Sequence, residues 1–568
     1  MRLKRVVCVL MVFVMLGAVQ VFAQLKGAES IKADELKQHL TFIASYGMRG
    51  RLNPSSELDM AAQYLASMSQ YFGLKPILPD GSYLQKFEGT TRKLDERLTK
   101  MTVKSSPFSV VEFSFPEAFG VTGQTPGVYS GNVVFLPAIP ATEEVWNLTG
   151  KNIDFAGKMV ITLQSQAQGQ AGVTGQRGGV GGVTGAPGVA RFRAADSIRI
   201  KGAAGVLTII SPQREQDMVT RGEYFSNTSS TSFPRSTPPA SITVQLPPAQ
   251  PTAGQPQPTA GRAQPFTGQV QPTIRLPFFQ GEIRHEVAAA ILGIPKADLF
   301  NESVTSPLSG KTFPDVRVTI TVEVQTTKTT TQNVVAMIEG TDPVLKNEYV
   351  CYGCHYDHLG ARGDVVYFGA DDNGSGTVAL LEIAKAFMTE RPKRSIIIVW
   401  HTGEEEGMIG SGYFTTHPPI PLEKVSAEIN IDMCGRNAPD TLFIIGSDRI
   451  STELDQSIKD MNNKYTKMGL NYRYNALDDR NRYYSRSDHY MYAQWGIPVV
   501  FLFGDVHPDY HRPTDTIDKI NFAKIERVAR LAFFVGWDVS NKKDLLKLDA
   551  NQNITVRGKY YVESRRGQ

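Results

Sequence analysis

Apolar residues recur at helical spacing near the start of the chain: Leu36, Leu40, Phe42 and Ile43, then Met60, Ala61, Tyr64, Leu65, Met68 and Tyr71. This predicts an α-helical opening segment from Ser30 to about Leu74. From about Val316 the pattern becomes regular. VRVTITVEVQ alternates as a strand does, and NVVAMIEG and YVCYGCH follow as strands. A helix is expected over Thr377–Met388, then the apolar strand RSIIIVWHT, a short helix after Gly407 and the strand AEINIDM. TLFIIG, a helix near Ile450–Met461, the strand IPVVFLF and a closing helix from Phe522 to about Val539 complete the series. Strands alternating with helices imply an α/β fold, a mostly parallel mixed sheet with helices on both faces. In such sheets ligands gather at the ends of the strands.

The middle of the chain breaks this rhythm. QAQGQAGVTGQRGGVGGVTGAPG and PPAQPTAGQPQPTAGRAQPFTGQVQP hold almost no large apolar side chains, cannot bury enough surface to offset chain entropy, and are expected as long loops. Around them GNVVFLPA, GKMVITLQ and AADSIRIKGAAGVLTIIS look ordered and suggest a small β-rich or mixed domain.

With 568 residues, more than one domain is expected. The first 23 residues run from a basic start (Arg2, Lys4, Arg5) through an apolar stretch to Val21 and Ala23, the layout of a secretory signal cleaved after Ala23. The formal charge is +4, and loss of those three basic residues leaves 4 − 3 = +1 for the mature chain. No nucleic-acid partner is expected, and no stable membrane association after cleavage; the destination is secreted or periplasmic. Cys351, Cys354 and Cys434 would remain. In a strand, residues three apart point to opposite faces, so the CxxC of YVCYGCH reads as core cysteines.

Seven of the nine histidines fall in the last region, and polar residues mark successive strand ends there. His355 closes YVCYGCH, Asp371 sits in GADDNGSG, Glu404 and Glu405 follow IIIVWHTG, Asp432 ends INID, and His511 lies in HPDYHRPTDT. Two imidazoles and three carboxylates suit zinc. Two Zn²⁺ with three carboxylates and one hydroxide come to zero charge, and a bridging acid gives each ion three protein ligands. That role falls to Asp371, with His355 and Asp432 on one ion and Glu405 and His511 on the other. Glu404 is the expected general base. Asp357 is expected to orient His355 through its far nitrogen, and Tyr510 to donate to an oxyanion. His358, His401, His417, His489 and His507 read individually as ordinary polar or core histidines.

GCHYDHLG, FGADDNGSGTVALLEIAKAF, HTGEEEGMIGSGYF, INIDMCGR, RSDHYMYAQWGIPVVFLF and HPDYHRPTDTIDKI together resemble metallopeptidase family 28, the co-catalytic zinc exopeptidases that include secreted bacterial leucyl aminopeptidases. The resemblance is strong from about Val316 to Ser540 and weaker over FIASYGMRGRLNPSS. It implies a zinc-exopeptidase (phosphorylase/hydrolase-like) fold and two Zn²⁺ per chain. His355, Asp371, Glu405, Asp432 and His511 match the zinc ligands, Glu404 the general base, Asp357 the supporting aspartate and Tyr510 an oxyanion-side tyrosine. Arg486 looks like an arginine that contacts substrate. KGAAGVLTII and LPFFQGEIRHEVAAAILG resemble a protease-associated domain. The expected organisation is therefore a signal peptide over 1–23, the N-terminal part of the peptidase domain over 24–115, a protease-associated domain over 116–312 and the catalytic domain over 313–568. The third acid, Glu406, leaves two registers for the glutamate pair, and aligning Gly403 and Gly407–Ser411 favours Glu404–Glu405.

The expected activity is removal of N-terminal residues from peptides. A carboxypeptidase or dipeptidase on the same scaffold needs a cationic pocket, which Arg436, Arg482 and Arg486 could supply. A glutaminyl cyclase would use one zinc, and a non-catalytic binding protein would typically lose ligands.

Overall fold

In a computed structural model, residues 25–106, 108–123, 125–138, 153–164, 198–199, 201–222, 224–225, 230–233, 241–245, 278–550 and 553–564 are described. The signal-peptide expectation and most of the Gly/Pro-rich stretches lie outside them. The chain divides into two compact units, one of residues 1–88, 234–253 and 330–568, the other of residues 89–233 and 254–329. The second unit thus reaches beyond the 116–312 drawn from sequence at both ends and leaves out 234–253.

The first unit is the α/β fold. Its sheet uses β1 (Leu84–Leu94), β2 (Val324–Ile338), β3 (Tyr349–His355), β4 (Ser395–His401), β5 (Val425–Asp432), β6 (Thr441–Ile445), β7 (Gly469–Asn471) and β8 (Val499–Phe503), in the spatial order β7-β6-β8-β5-β3-β4-β2-β1. The central strands β4, β3, β5 and β8 are parallel to one another, whereas β2 runs antiparallel to β4 and β6 antiparallel to β8. Helices α1 (Lys26–Ser30), α2 (Ala33–Ile43), α3 (Ser56–Phe72), α4 (Gly376–Thr389), α5 (Ile409–Thr416), α6 (Thr452–Met461), α7 (His489–Ala493) and α8 (Phe522–Asn541) accompany it.

The period-2 geometry of a strand explains why the central strands are apolar almost throughout. Val350, Tyr352 and Cys354 of β3 pack into one core with α2, α3, α4 and α8, while Cys351 packs into the core on the other face with Phe414 and Tyr492. The two cysteines are buried and unbonded on opposite faces, as the strand reading required. Because β3 and β5 are parallel, His355 and Asp432 finish on the same edge of the sheet. α8 also carries out the long-range closure expected of Phe522–Val539, extending to Asn541.

The second unit holds an eight-stranded mixed sheet in which Thr312–Val322 and Gly127–Phe135 pair antiparallel at the centre, with Lys158–Leu163, Gly205–Ile209 and Phe279–Ile283 continuing in parallel. Helices Pro212–Arg221 and His285–Leu292 belong to the same unit. Among the described residues, no helix is long and apolar enough to cross a membrane.

Candidate metal centre and active site

At the carboxyl edge of the sheet, His355 ends β3 and Asp432 ends β5. His355 Nε2 stands 3.4 Å from Asp432 Oδ1. It also stands 3.4 Å from a carboxylate oxygen of Asp372, not of Asp371. The other oxygen of Asp372 lies 3.1 Å from His511 Nε2, which in turn lies 3.0 Å from Glu405 Oε2. Asp372 is therefore the acid common to both halves of the cluster, and the bridging position expected at Asp371 moves by one residue.

The backbone explains the shift. Gly374, Gly376 and Ser375 lead into α4, but Asp372 departs from helical geometry, with φ −99° and ψ 102°, and side chains of successive residues in extended backbone diverge. Asp371 turns to the Gly435 N–H, which donates to its Oδ1 at 2.6 Å, and its Oδ2 lies 3.3 Å from His507 Nε2. Asn373 then fixes the loop to β5: its Nδ2 donates to the Ile431 carbonyl, and its Oδ1 accepts from Gly376 N and Met433 N. This stitching draws Asp372 towards Asp432.

Asp357 and Asp515 complete the frame. The Asp357 carboxylate accepts the Glu404 and Glu405 N–H groups at 3.2 and 3.4 Å. Its Oδ1 is 3.7 Å from His355 Nδ1, whose nearer partner is the Asp357 main-chain carbonyl at 3.2 Å. The expected role for Asp357, orientation of His355, is thus shared between carbonyl and carboxylate, and the carboxylate chiefly positions the glutamates. Asp515 accepts the Asp371 N–H at 3.0 Å and the Asp372 N–H at 3.2 Å. Sequence reasoning missed Asp515 because its partners are main-chain amides, which leave no side-chain signature. Ser487 was missed too; its hydroxyl donates to Asp432 Oδ2 at 2.8 Å. So was buried Arg51, which donates to the carbonyls of Ile43, Tyr356, Phe368 and Gly369.

Glu404 lies 3.9 Å from His355 Nε2 and is 13% exposed. Glu405 reaches the His511 side, and Glu406 turns away to accept from Asn53 Nδ2 at 2.6 Å; this distribution places Glu404 and Glu405, rather than Glu406, at the cluster. His358, read from sequence as ordinary, also enters it: its Nδ1 is 2.8 Å from Glu405 Oε1 without hydrogen-bond alignment. Tyr510 stacks on His511 with ring centroids 3.8 Å apart. Arg486 is exposed, its guanidinium 5.0 Å from the centre of the Tyr483 ring, and Arg436 is bound to Asp509 at 2.8 Å.

Electrostatics in this cluster are frustrated. Burial opposes a charged His355, but Asp432, Asp357 and Asp372 outweigh it and hold the ring well above its ordinary range. Burial likewise opposes the charge on His511, yet Glu405 and Asp372 raise it to about 11. Glu405, despite burial and the nearby Asp372 charge, is pulled down to about 2 by His511 and His358. Burial drives Glu404 well upward, with Glu405 and Asp432 adding to the effect against His355. Four acids in one buried pocket are tolerated only where positive charge answers them.

The donor atoms fit zinc. His355 Nε2, Asp372 Oδ2, Asp432 Oδ1, Glu405 Oε1 and His511 Nε2 are all buried without a hydrogen-bond partner. His355, Asp372 and Asp432 form one set of ligand atoms within 4.8 Å of one another, and His358, Asp372 and Glu405 form another. Ligand atoms on a tetrahedron with bonds of about 2.0–2.1 Å are about 3.3 Å apart, close to the 3.0–3.4 Å separations between imidazole and carboxylate atoms here.

Residues 333–535 match the family model for peptidase family M28. The chain is 29% identical over 212 residues to a probable leucine aminopeptidase of Trichophyton verrucosum and to one of Arthroderma benhamiae, each match covering 35% of this chain and 56% of the relative. The chain thus spans little more than half the length of the curated relatives it matches. Among solved structures, an aminopeptidase from Aneurinibacillus sp. strain AM-1 aligns with TM-score 0.48 and 14% identity, covering 95% of this chain and 99% of the other. A zinc aminopeptidase from Bacillus subtilis aligns with TM-score 0.48 and 15% identity, covering 92% and 99%.

Proposed function

We propose that the protein is a secreted or periplasmic di-zinc aminopeptidase that hydrolyses the N-terminal peptide bond of peptides. The observation that carries this reading is the set of five buried, unpartnered donor atoms around Asp372. His355 and Asp432 would hold one ion, Glu405 and His511 the other, and Asp372 both; His358 sits beside the second position. Two divalent cations would answer the acids while leaving the imidazoles neutral, the state in which they bind metal.

When bound, zinc supplies Lewis acidity to a carbonyl oxygen and to water. The chain's own residues do the rest. Glu404, held by Asp357 through its amide and open on one side, takes a proton from water and passes it to the leaving amine. Tyr510, packed against His511, would donate to the developing oxyanion, and Arg486, exposed beside Tyr483, would contact the substrate. The leader over residues 1–23 would direct export.

The test is hydrolysis of aminoacyl-anilides and their N-acetylated counterparts by chelator-treated and zinc-reloaded protein. The reading expects activity on free amines alone, lost with chelator and recovered with Zn²⁺. Full activity of metal-free protein, or preference for N-acylated dipeptides, would overturn it.

A further inference from the structure

His358 follows His355 by three positions, a spacing that in continuous extended backbone turns two side chains to opposite faces. The chain leaves β3 at His355, however, and His358 is fixed elsewhere: it forms an isolated parallel bridge with Leu52, and its N–H donates to the Arg51 carbonyl at 3.1 Å. Buried Arg51 donates in turn from Nε to the Tyr356 carbonyl at 2.9 Å and from Nη2 to the Gly369 carbonyl at 3.0 Å. One guanidinium thus ties the segment that carries His358 to the segment that leads into Asp372.

Gly369 makes room for the ring. A Cβ there would come within 2.5 Å of His358 Cγ and 2.6 Å of Cδ2, so the imidazole lies directly against the glycine, whose φ of 58° also disfavours any side chain. Seated in this way, the ring is 1% exposed, with Nδ1 2.8 Å from Glu405 Oε1 and 3.9 Å from Asp372 Oδ2.

Three distances suit a shared ion. The Nδ1–Oε1 pair is not aligned for a hydrogen bond, yet its 2.8 Å is close to the roughly 2.9 Å between neighbouring ligands at a right angle on bonds of about 2.0–2.1 Å. The 3.9 Å to Asp372 stays within the span of about 4.1 Å that opposite ligands reach on such bonds. Those bonds also put a ring centre about 3.2 Å from the ion, so two imidazoles on one ion have centres at most about 6.4 Å apart; the rings of His358 and His511 are 5.8 Å apart.

We infer that His358 is a ligand of the second metal position, through Nδ1, beside Asp372, Glu405 and His511. The inference rests on the di-zinc reading and makes the two positions unequal. Four protein ligands close a zinc site, whereas three leave a place open. The open place then falls among His355, Asp372 and Asp432, where Glu404 lies 3.9 Å from His355 Nε2.

The alternative role for His358 is donation to Glu405, and His358→Asn separates the two, because asparagine keeps an N–H donor near the place of Nδ1 and is no zinc ligand. Wild type and His358→Asn are loaded with Zn²⁺, zinc per chain is measured, and each is titrated with a competing chelator; thermal melts establish that the variant is folded. The affinity of one of the two ions should fall by more than the roughly 10–100-fold that loss of an outer hydrogen-bond partner brings, while the other ion is unaffected. In crystals of the zinc-loaded wild type, Nδ1 should stand about 2.0–2.1 Å from one zinc. Two bound ions with Nδ1 more than about 3 Å from both, or an affinity unmoved in His358→Asn, would overturn this inference alone. A wild-type protein that takes up no zinc would overturn it together with the proposed function.

Discussion

Two groups of buried acids occupy the same edge of the sheet and are satisfied in opposite ways. Asp357 and Asp515 spend their carboxylates on main-chain N–H groups of the loops that carry Glu404, Glu405 and Asp372. Asp372, Asp432 and Glu405 each leave a buried oxygen without a hydrogen bond, facing His511, His355 and His358 respectively. A buried unpaired polar atom costs on the order of 1–3 kcal/mol, and a fold keeps several together only where something else uses them. The first group positions the loops, and the second is the proposed site. Asp371 stands between them, with one oxygen on Gly435 N and the other facing His507.

The sharpest break in this comparison is between neighbours. Asp372→Ala should abolish metal loading and lower kcat/KM by at least about a thousandfold, measured by metal analysis and anilide hydrolysis. Asp371→Ala should keep its metal and lose far less activity; equal losses would erase the distinction. Next in size, Glu404→Gln should reduce kcat by about 10²–10⁴-fold while metal content stays at the wild-type level, since Glu404 acts on the proton rather than on the ions.

A positioning acid should show its effect one step removed. Asp515→Asn loses one of the two oxygens that accept the loop amides, and zinc affinity should fall about 10–100-fold, read by competition with a chelator at unchanged wild-type fold. An unaltered affinity would remove Asp515 from the frame.

The smallest effect concerns a buried group far from catalysis in role. Burial lowers the ring of His489 to about 3, against the pull of the Tyr484 main chain and with the Arg449 charge adding to the burial. The unfolded ring titrates near its ordinary value of 6.5, so the folded state binds fewer protons below that pH. Stability is complete above about 6.5 and declines as pH falls towards 3, by about 2 kcal/mol at pH 5. In urea denaturation at pH 7 and pH 5, His489→Leu should lose about 2 kcal/mol less than the wild type between the two pH values.

What the sequence disclosed follows from the same distinction. His355 and Asp432 were legible because each ends an apolar strand, and parallel strands bring such ends to one edge. The pair Glu404–Glu405 was legible from its place after β4. Asp372 was not, because GADDNGSG offers two adjacent acids and only the extended backbone at Asp372 decides which one faces inward. Asp515 and Ser487 escaped for a related reason: one binds amides of a loop 144 positions away and the other a single carboxylate oxygen, contacts that no local spacing encodes.

Anomalous diffraction at the zinc edge, from crystals grown with Zn²⁺, tests the central claim most directly. Two peaks are expected, both in contact with Asp372, one beside His355 and Asp432 and the other beside Glu405 and His511. Density beside Asp371 and His507 instead, or none between the imidazoles and Asp372, would contradict it.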